Sequence, residues 1–241
     1  MSKPSDRPDR PKRFYKAVSL LPDDGGFAVA LDGRVAKTPA GAKLAVPTEA
    51  LGDLLVSEWA AQTEHVEFPE MPATRLAFTA IDRTPGARDA VAAEMSKLIA
   101  ADALCYFADG PGSLIARQEQ LWGPWLAWAE RELGLVLIRA KGVMHIAQPP
   151  ETLARAMRLG AELADLRLSG LVYAGGLYGS AVLALAVERG VLSAEEAFDL
   201  SRLDEAFQEE QWGIDHEAAA RTAILWRDAR MIGAWFKALG D

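Results

Sequence analysis

The chain has 241 residues, half of them apolar and a quarter charged, which is enough for one large folded domain or two small ones. Its formal net charge of −8 and pI near 5.0 argue against nucleic-acid binding, because phosphate contacts require clustered Lys and Arg. The single cysteine, Cys105, excludes an internal disulfide framework and fits a reducing compartment.

The first part of the chain is predicted to be a tail followed by a β-rich domain. Residues 1–12 mix charged residues and proline without an apolar core segment, so we expect a disordered tail rather than a targeting peptide. Residues 13–85 then contain short strand-like segments. Asp32-Gly33 is the strongest hairpin signal, since both residues accept positive φ. The segments predict an antiparallel meander with one solvated face.

One helix is predicted in this N-terminal domain. Thr48 can cap it, and it should run to about Gln62. Trp59 lies in phase with the leucines of the helix, so it should fix the helix on the sheet rather than form a binding site. The sequence 83–87, which contains Pro85-Gly86 beside charged residues, marks the predicted domain boundary.

Residues 86–241 are predicted to form a larger, all-helical domain, so the fold class is α+β. Pro124 should kink or divide a helix over 113–133, because proline removes a backbone donor. Cys105 is flanked by large apolar residues and should be a small buried hydrophobe. Two short segments, 136–138 and 143–146, are predicted to form a minor β-ribbon.

Residues 168–187 form a stretch of 20 residues without a charge. Its length alone would allow a membrane span, and membrane association remains an alternative. Glycines, tyrosines and serines dilute its hydrophobicity, however, and helices that are apolar all round also occur at the centre of soluble bundles. We therefore predict one buried central helix, in which Gly175, Gly176 and Gly179 let neighbouring helices approach closely.

An acidic segment follows, with nine carboxylates against one base, Arg202, over residues 193–217. Ser193 and Glu196 predict a capping box for its helix, and Trp212-Gly213 should close it. Helical spacing places Leu200, Leu203 and Phe207 on one stripe. The same spacing places four polar residues on the opposite face, where they point towards solvent or a partner: Asp204, Glu205, Gln208 and Glu209.

Glu210 returns to the edge of that apolar stripe, where it must stay near the helix end or find a cation. The segment is therefore either a solvated acidic face or a docking surface for a basic protein. A last helix, from about Glu217 to Leu239, should pack back on the bundle through the in-phase residues Ile224, Leu225, Ile232, Trp235, Phe236 and Leu239.

Motifs that carry chemistry are missing from the sequence. There is no phosphate-binding Gly-x-x-x-x-Gly-Lys-Ser/Thr loop, and Gly175 to Ser180 lacks the lysine, so helix packing explains its glycines better. His65, His145 and His216 match no zinc spacing. We expect no metal and no cofactor, and the residues favour a binding protein over an enzyme.

Several segments nevertheless resemble the assembly chaperones for the alpha subunit of F-type ATP synthase, known in mitochondria as ATP synthase assembly factor 2. The resemblance covers about 200 residues in the order of the family. Its segments are Arg13-Phe-Tyr, Leu31-Asp-Gly-Arg-Val-Ala-Lys-Thr-Pro39, Val46-Pro-Thr-Glu-Ala-Leu51, Glu58-Trp59, Leu104-Cys-Tyr106, Trp122-x-Pro-Trp-Leu-x-Trp128, Gly170-Leu-Val and Arg202-Leu-Asp-Glu-x-Phe-Gln-x-x-x-Trp-Gly213.

The resemblance implies a non-enzymatic chaperone that binds the free alpha subunit and prevents its aggregation until beta subunits join it in the catalytic hexamer. Glu205 and Gln208 match the family motif, whereas Glu209 and Glu210 fall at positions that the motif leaves open. On this hypothesis, lysine at positions 205 and 209 abolishes alpha binding without changing the thermal melt. The predicted partner-binding residues are Asp204, Glu205, Gln208, Glu209, Glu210 and Trp212.

We expect the free protein to be monomeric, without stable membrane insertion, and to act in a bacterial cytoplasm, whereas eukaryotic relatives act in the mitochondrial matrix. Two other functions remain open: a nucleotide-binding enzyme and a membrane-associated assembly factor. Calorimetric titration with Mg-ATP tests the first, and fractionation after salt washing tests the second.

Overall fold

The computed structural model describes residues 11–142, 144–213 and 216–240. A small antiparallel sheet precedes a series of helices, so the predicted α+β fold class is confirmed. The chain divides into two compact units: one holds the residues up to Asp82 together with those from Ala238, and the other is Arg83–Lys237. Residues 1–10 of the expected tail lie outside the described residues.

The sheet of the first unit is antiparallel: the strand Gly26–Leu31 pairs with each of the other three strands. Asp32 and Gly33 both have positive φ, at 49° and 77°, which confirms the predicted hairpin. The Asp32 carboxylate accepts the backbone N–H groups of Lys16 and Ala17, and these bonds lower its pKa. The strands are β1 (Val18–Asp23), β2 (Gly26–Leu31), β3 (Arg34–Val35) and β4 (Ala45–Val46).

Helix α1 (Glu49–Ala60) packs on β1 and β2. Its cap is as predicted, because the Thr48 hydroxyl accepts the N–H of Leu51 at 3.2 Å. Trp59 is buried, as expected for a core residue. The Tyr15 hydroxyl donates to the Trp59 carbonyl at 2.8 Å, so two segments of the family motif hold each other in place.

The first unit contains a second helix, α2 (Pro72–Asp82), beyond the one that the sequence predicted. Its start is stabilised by Glu58 of α1, whose carboxylate accepts the N–H groups of Ala73 at 2.8 Å and Thr74 at 2.7 Å. These donors have no partner inside their own helix. The motif residue Glu58 therefore has a structural explanation that the sequence pattern did not reveal.

Helices dominate the second unit. The helix Gly112–Trp128 continues through Pro124, so division at this proline, one of the two predicted outcomes, is wrong. It passes into a π-helical turn over Ala129–Leu133. The helices are α3 (Arg88–Ala100), α4 (Gly112–Trp128), α5 (Pro150–Ala161), α6 (Asp165–Tyr178), α7 (Ala181–Glu188), α8 (Ala194–Ser201), α9 (Leu203–Trp212) and α10 (His216–Leu239), the last of which ends beyond this unit.

The predicted ribbon of 136–138 with 143–146 is wrong for the residues that the structure describes, and Val143 lies outside them. Two other segments, β5 (Tyr106–Phe107) and β6 (Ala140–Lys141), pair in parallel instead. The buried Gln148 side chain binds both backbone groups of Ile138, at 2.8 and 2.9 Å. An amide side chain thus replaces the strand partner that the sequence suggested.

The apolar stretch 168–187 forms two helices, so the prediction of one continuous helix is wrong. Gly179 ends α6 with a φ of 61°, and the Ser180 hydroxyl caps α7 by accepting the N–H of Leu183. Burial is as predicted, since every residue of α7 is buried. Over the described ranges, no helix combines the length and the apolar character that a membrane crossing needs.

Glycine permits the expected close approach at one of the three predicted positions. A Cβ atom at Gly175 would lie 2.5 Å from Cδ1 of Leu98, so glycine lets α6 approach α3 at this point. Gly176 has no such neighbour, and Gly179 serves to end the helix. The segment from Gly175 to Ser180 is therefore the last turn of α6 and its cap, with Gly175, Tyr178 and Ser180 buried.

Asp102 is fully buried beside the start of α7. Its carboxylate accepts the N–H of Leu104 at 3.1 Å and of Val182 at 3.0 Å, and it also accepts the Ser180 hydroxyl. Burial raises the pKa of Asp102 to about 6, although these hydrogen bonds act in the opposite direction. Cys105 is buried as predicted, and burial raises the pKa of its thiol to about 12, so it is protonated at neutral pH.

Candidate functional site

The acidic segment begins as the sequence predicted. The Ser193 hydroxyl accepts the N–H of Glu196 at 3.1 Å, and the Glu196 carboxylate accepts the N–H of Ser193 at 3.3 Å, which confirms the capping box. The single predicted helix is wrong, however, because the backbone leaves helical geometry at Arg202 and divides the segment into α8 and α9. Gly213 ends α9 with a φ of 87°, as expected.

Asp204 is half-buried against α4 rather than turned fully outward, which corrects the helical-wheel prediction for this residue. It accepts a hydrogen bond of 2.7 Å from Nε2 of Gln118, a completely buried side chain whose Oε1 accepts the N–H of Ala108. Burial raises the pKa of Asp204 above its ordinary value, whereas the hydrogen bond from Gln118 lowers it. Asp204 thus fixes α9 on its neighbour.

Glu209 and Glu210 form ion pairs with arginines of the same chain. Glu209 accepts from Arg202 at 3.0 Å, so it is not free to face solvent as the wheel predicted. Both carboxylate oxygens of Glu210 accept from Arg117 of α4, at 2.8 and 2.9 Å. Both of the situations predicted for Glu210 are present, because it lies near the end of α9 and its carboxylate is paired with a cation. The pair with Arg117 links α9 to α4, whereas Arg202 directly precedes α9.

The remaining predicted partner-binding residues lie on the surface. Glu205 and Gln208 are exposed, and neither side chain has a hydrogen-bonding or ionic partner among the residues that the structure describes. Trp212, at the end of α9, is 81% exposed. A tryptophan this accessible is not part of the core, and indole rings contribute strongly to protein interfaces. The outer face of α9 therefore carries free negative charge in its first turn and an exposed aromatic ring at its C-terminal end.

An open apolar cleft of about 660 Å³ lies beside these residues. Leu121 of α4 lines it and is 36% exposed. Phe198 also lines it and packs edge-on against Trp226 of α10, with 5.3 Å between ring centroids. The other apolar lining residues are Trp125, Leu192, Leu200, Leu203 and Ala206.

The last helix packs through only part of its predicted stripe. Ile232, Trp235 and Phe236 are buried, and the Trp235 indole donates to the carbonyl of Leu166. Ile224 and Leu225 are 53% and 38% exposed, so the prediction that they pack on the bundle is wrong. Exposed aliphatic side chains on α10 add to the uncovered apolar area of this unit.

Gln118 and Trp122 of α4 make contacts that the sequence did not predict. The Trp122 indole donates to the carbonyl of Leu200 at 2.9 Å, so this residue of one family motif contacts α8, the helix that precedes the motif at Arg202. A buried glutamine requires a polar partner, so Gln118 was the signal that could have pointed to the contact with Asp204.

No group of three His, Cys, Asp or Glu side chains in the described ranges has the geometry to hold a metal ion. His145 instead lies 3.2 Å from the Tyr106 hydroxyl through its Nδ1 atom, and the side chain of His216 lies outside the described part. Among the described carboxylates of the acidic segment, Asp204, Glu209 and Glu210 bind side chains of the same chain, and Glu196 closes the capping box.

Comparisons with known proteins agree with this description. The family model for the ATP12 chaperone protein matches residues 12–130. The mitochondrial protein atp12 of Schizosaccharomyces pombe is 25% identical over 219 residues, which cover 86% of this chain and 75% of the relative.

Solved structures match over nearly the whole chain. The crystal structure of Atp12 from Paracoccus denitrificans is 37% identical, with a TM-score of 0.86, and the match covers 95% of this chain and 98% of that one. An Asp-to-Lys mutant of the same protein gives the same values. The Atu1473 protein of Agrobacterium tumefaciens is 42% identical, with a TM-score of 0.88, over 95% of this chain and 86% of that one.

The matching family model and solved structures place this protein in the class of chaperones. More narrowly, the chain belongs to the ATP12 chaperone family, the ATP synthase assembly chaperones whose motifs its sequence carries. The family resemblance inferred from those motifs is thereby confirmed.

Proposed function

We propose that this chaperone binds the free alpha subunit of F-type ATP synthase and keeps it from aggregating until beta subunits join it in the catalytic hexamer. A subunit of a hexamer exposes, before assembly, the surface that its neighbours will cover. Such a surface is partly apolar and promotes self-association. Covering it requires binding and release, and no reaction, so the proposed role is non-enzymatic. The free chaperone acts as a monomer.

The observation that carries the proposal is the exposed face of α9. Glu205, in the first turn, and Gln208 match the family motif and have no partner among the described residues, and Trp212, at the C-terminal end, is 81% exposed. We assign direct contact with the alpha subunit to these three residues. Carboxylates at a solvated interface guide encounter and orientation without requiring extreme affinity, which suits a contact that must later be exchanged.

Glu209 and Glu210 contribute differently in this proposal, because each is already paired with an arginine of its own chain. A client arginine reaches them only by exchange with Arg202 or Arg117. Asp204 positions α9 through Gln118, and its half-buried carboxylate adds negative charge behind the surface.

The direct test is to mix the purified protein with isolated alpha subunit and to measure the mass of the product by size exclusion with light scattering. We expect a one-to-one complex and a marked loss of alpha-subunit aggregation. Absence of a complex, with aggregation unchanged, contradicts the proposal.

A charge reversal tests the assigned residues. Glu205→Lys should weaken alpha-subunit binding about tenfold, which corresponds to ~1.4 kcal/mol, because it places a positive charge opposite a basic partner. The matched control is Asp53→Lys, the same charge change at an exposed position of α1, which should leave affinity within about twofold. Equal affinities for the two variants would contradict the assignment.

The double lysine variant at positions 205 and 209 is less suitable than the sequence suggested. Lysine at 209 would face Arg202 and lose an ion pair of 3.0 Å, so the melting temperature should fall together with binding. The single Glu205→Lys variant avoids this, since its side chain has no partner among the described residues.

A further inference from the structure

The cleft beside α9 keeps apolar side chains in contact with water. Leu121 is 36% exposed, although it lies one turn from the fully buried Gln118. Apolar surface that stays accessible forgoes about 25 cal/mol per Å² of burial. Of the other apolar lining residues, Trp125, Leu200 and Ala206 are half-buried, and Leu192, Phe198 and Leu203 are buried. A partner seated in the cleft would bury the accessible part of these side chains further.

Most of the charged groups around the cleft are already engaged. Arg117 binds Glu210, Arg202 binds Glu209, and Glu196 completes its capping box, whereas Asp199 is exposed and its carboxylate has no partner among the described residues. Within the described part of the chain, the buried side-chain polar atoms without a partner are Nε1 of Trp59 and Oγ1 of Thr74, and neither lines this cleft.

These features favour a protein segment over a small metabolite. A small polar ligand requires a few convergent polar groups that are free to fix its orientation, and among the charged lining residues only Asp199 is without a partner in the described part of the chain. A cleft of about 660 Å³ is instead lined by residues of α4, α8, α9 and α10. Grooves between helices accept an amphipathic helix whose apolar side chains recur at i, i+3 or i+4, and i+7.

Charge indicates which kind of helix fits. Three carboxylates line the cleft (Glu196, Asp199 and Glu209) against two arginines, and Glu210 and the unpaired Glu205 lie on the adjoining α9. The potential at the rim therefore favours Lys or Arg on an incoming segment and opposes Asp or Glu.

We infer that this cleft is the primary docking site for the client and that it binds one amphipathic helical segment, apolar on one face and basic beside it. The identity of the client rests on the proposed function; the chemistry of the segment rests on the cleft. The apolar face occupies the space between Leu121, Phe198 and Ala206, while the carboxylates of α9 set its direction.

A model peptide tests the chemistry of the segment without the alpha subunit. The probe is a fluorescent helical peptide of Leu and Lys with an apolar stripe, and binding to the full-length protein is followed by anisotropy. We expect saturable binding that is at least about tenfold tighter than that of an analogue with Glu in place of Lys. No binding, or equal binding of the two peptides, overturns the inference.

Two variants locate the site. Leu121→Glu introduces a charge and Ala206→Phe fills the cleft without one; each should weaken peptide binding about tenfold or more. The control is Met157→Glu, an apolar residue of α5 with the same 36% exposure that does not line the cleft, and it should bind like the wild type. Peptide binding that survives both cleft variants places the site elsewhere and overturns the inference.

The same variants separate this inference from the proposed function. If the wild type forms a complex with the alpha subunit that Leu121→Glu leaves intact, the function stands and the cleft assignment fails. If the peptide binds as expected but no alpha-subunit complex forms, the cleft chemistry stands and the client is wrong. A photo-crosslinker at position 121 should label a basic, amphipathic stretch of the alpha subunit, and labelling of an acidic stretch contradicts the inference.

Discussion

Replacing Asp102 by alanine is expected to lower the free energy of unfolding by about 3 kcal/mol. The variant leaves the N–H groups of Leu104 and Val182 buried without an acceptor, at about 1–3 kcal/mol for each, while relief of the carboxylate desolvation offsets part of this loss. Chemical denaturation followed by circular dichroism measures the difference. A change below about 1 kcal/mol would show that these hydrogen bonds contribute little.

The pH dependence of the same site has a definite sign. The pKa of Asp102 is about 6 in the folded protein and ~4 in an unfolded chain. The folded state therefore binds this proton more tightly than the unfolded chain does. As pH rises from about 4 to about 6 the proton is lost, and the stability that Asp102 contributes falls. Two pKa units correspond to roughly 3 kcal/mol.

Asp102→Asn is the matched control because it has a similar size and does not titrate. The stability advantage of the wild type over this variant should be larger at pH 4 than at pH 7. Other carboxylates, including the exposed Glu196 with its lowered pKa, are common to both proteins, so their contributions cancel in the difference between the two unfolding free energies. A constant or widening advantage would mean that Asp102 is ionised throughout this range.

Gly26→Ala is the second change for which we expect a large effect, about 3 kcal/mol of lost stability. A Cβ atom at Gly26 would lie 2.2 Å from the carbonyl oxygen of Val46 and 3.1 Å from Cα of Pro47. Both neighbours are backbone atoms, so relief requires displacement of β4 and loss of its pairing with Phe27. Thermal unfolding followed by circular dichroism measures the loss.

Gly33→Ala separates this steric cause from conformational strain. Gly33 has a φ of 77°, and a methyl group added there would have no neighbouring atom within 4 Å. Alanine at this position should therefore cost only the left-handed conformation, about 1–2 kcal/mol. Gly26 has no positive φ, and its cost comes from space alone. If Gly26→Ala is no more destabilising than Gly33→Ala, the close approach of β4 is not limiting.

Local signals in the sequence were the ones that predicted structure well. The Asp32-Gly33 turn, the Thr48 cap and the Ser193 capping box each depend on a few neighbouring residues, and all three are present. Burial of Cys105 also followed from its large apolar neighbours. The family motifs extended the prediction to most of the chain: they implied a small β-rich domain followed by a larger helical one, and the order of sheet and helices agrees with this.

One wrong prediction missed a local signal: Gly179 in an apolar run is compatible with helix packing or helix termination, and the adjoining Ser180, which caps α7, decides between them. Other wrong predictions depended on contacts between distant segments. The position of Asp204 depends on Gln118, which lies 86 residues away. A helical wheel identifies a face but not its neighbour, so the cleft could not be predicted from periodicity.

The two ion pairs of α9 have a consequence for how a client leaves. When a basic side chain of the client reaches Glu209 or Glu210, it replaces Arg202 or Arg117 and does not create a pair where none existed. The net gain is the difference between two similar interactions, which is small. Under the proposed function, the resident arginines return to their carboxylates on departure, so release leaves neither Glu209 nor Glu210 unpaired.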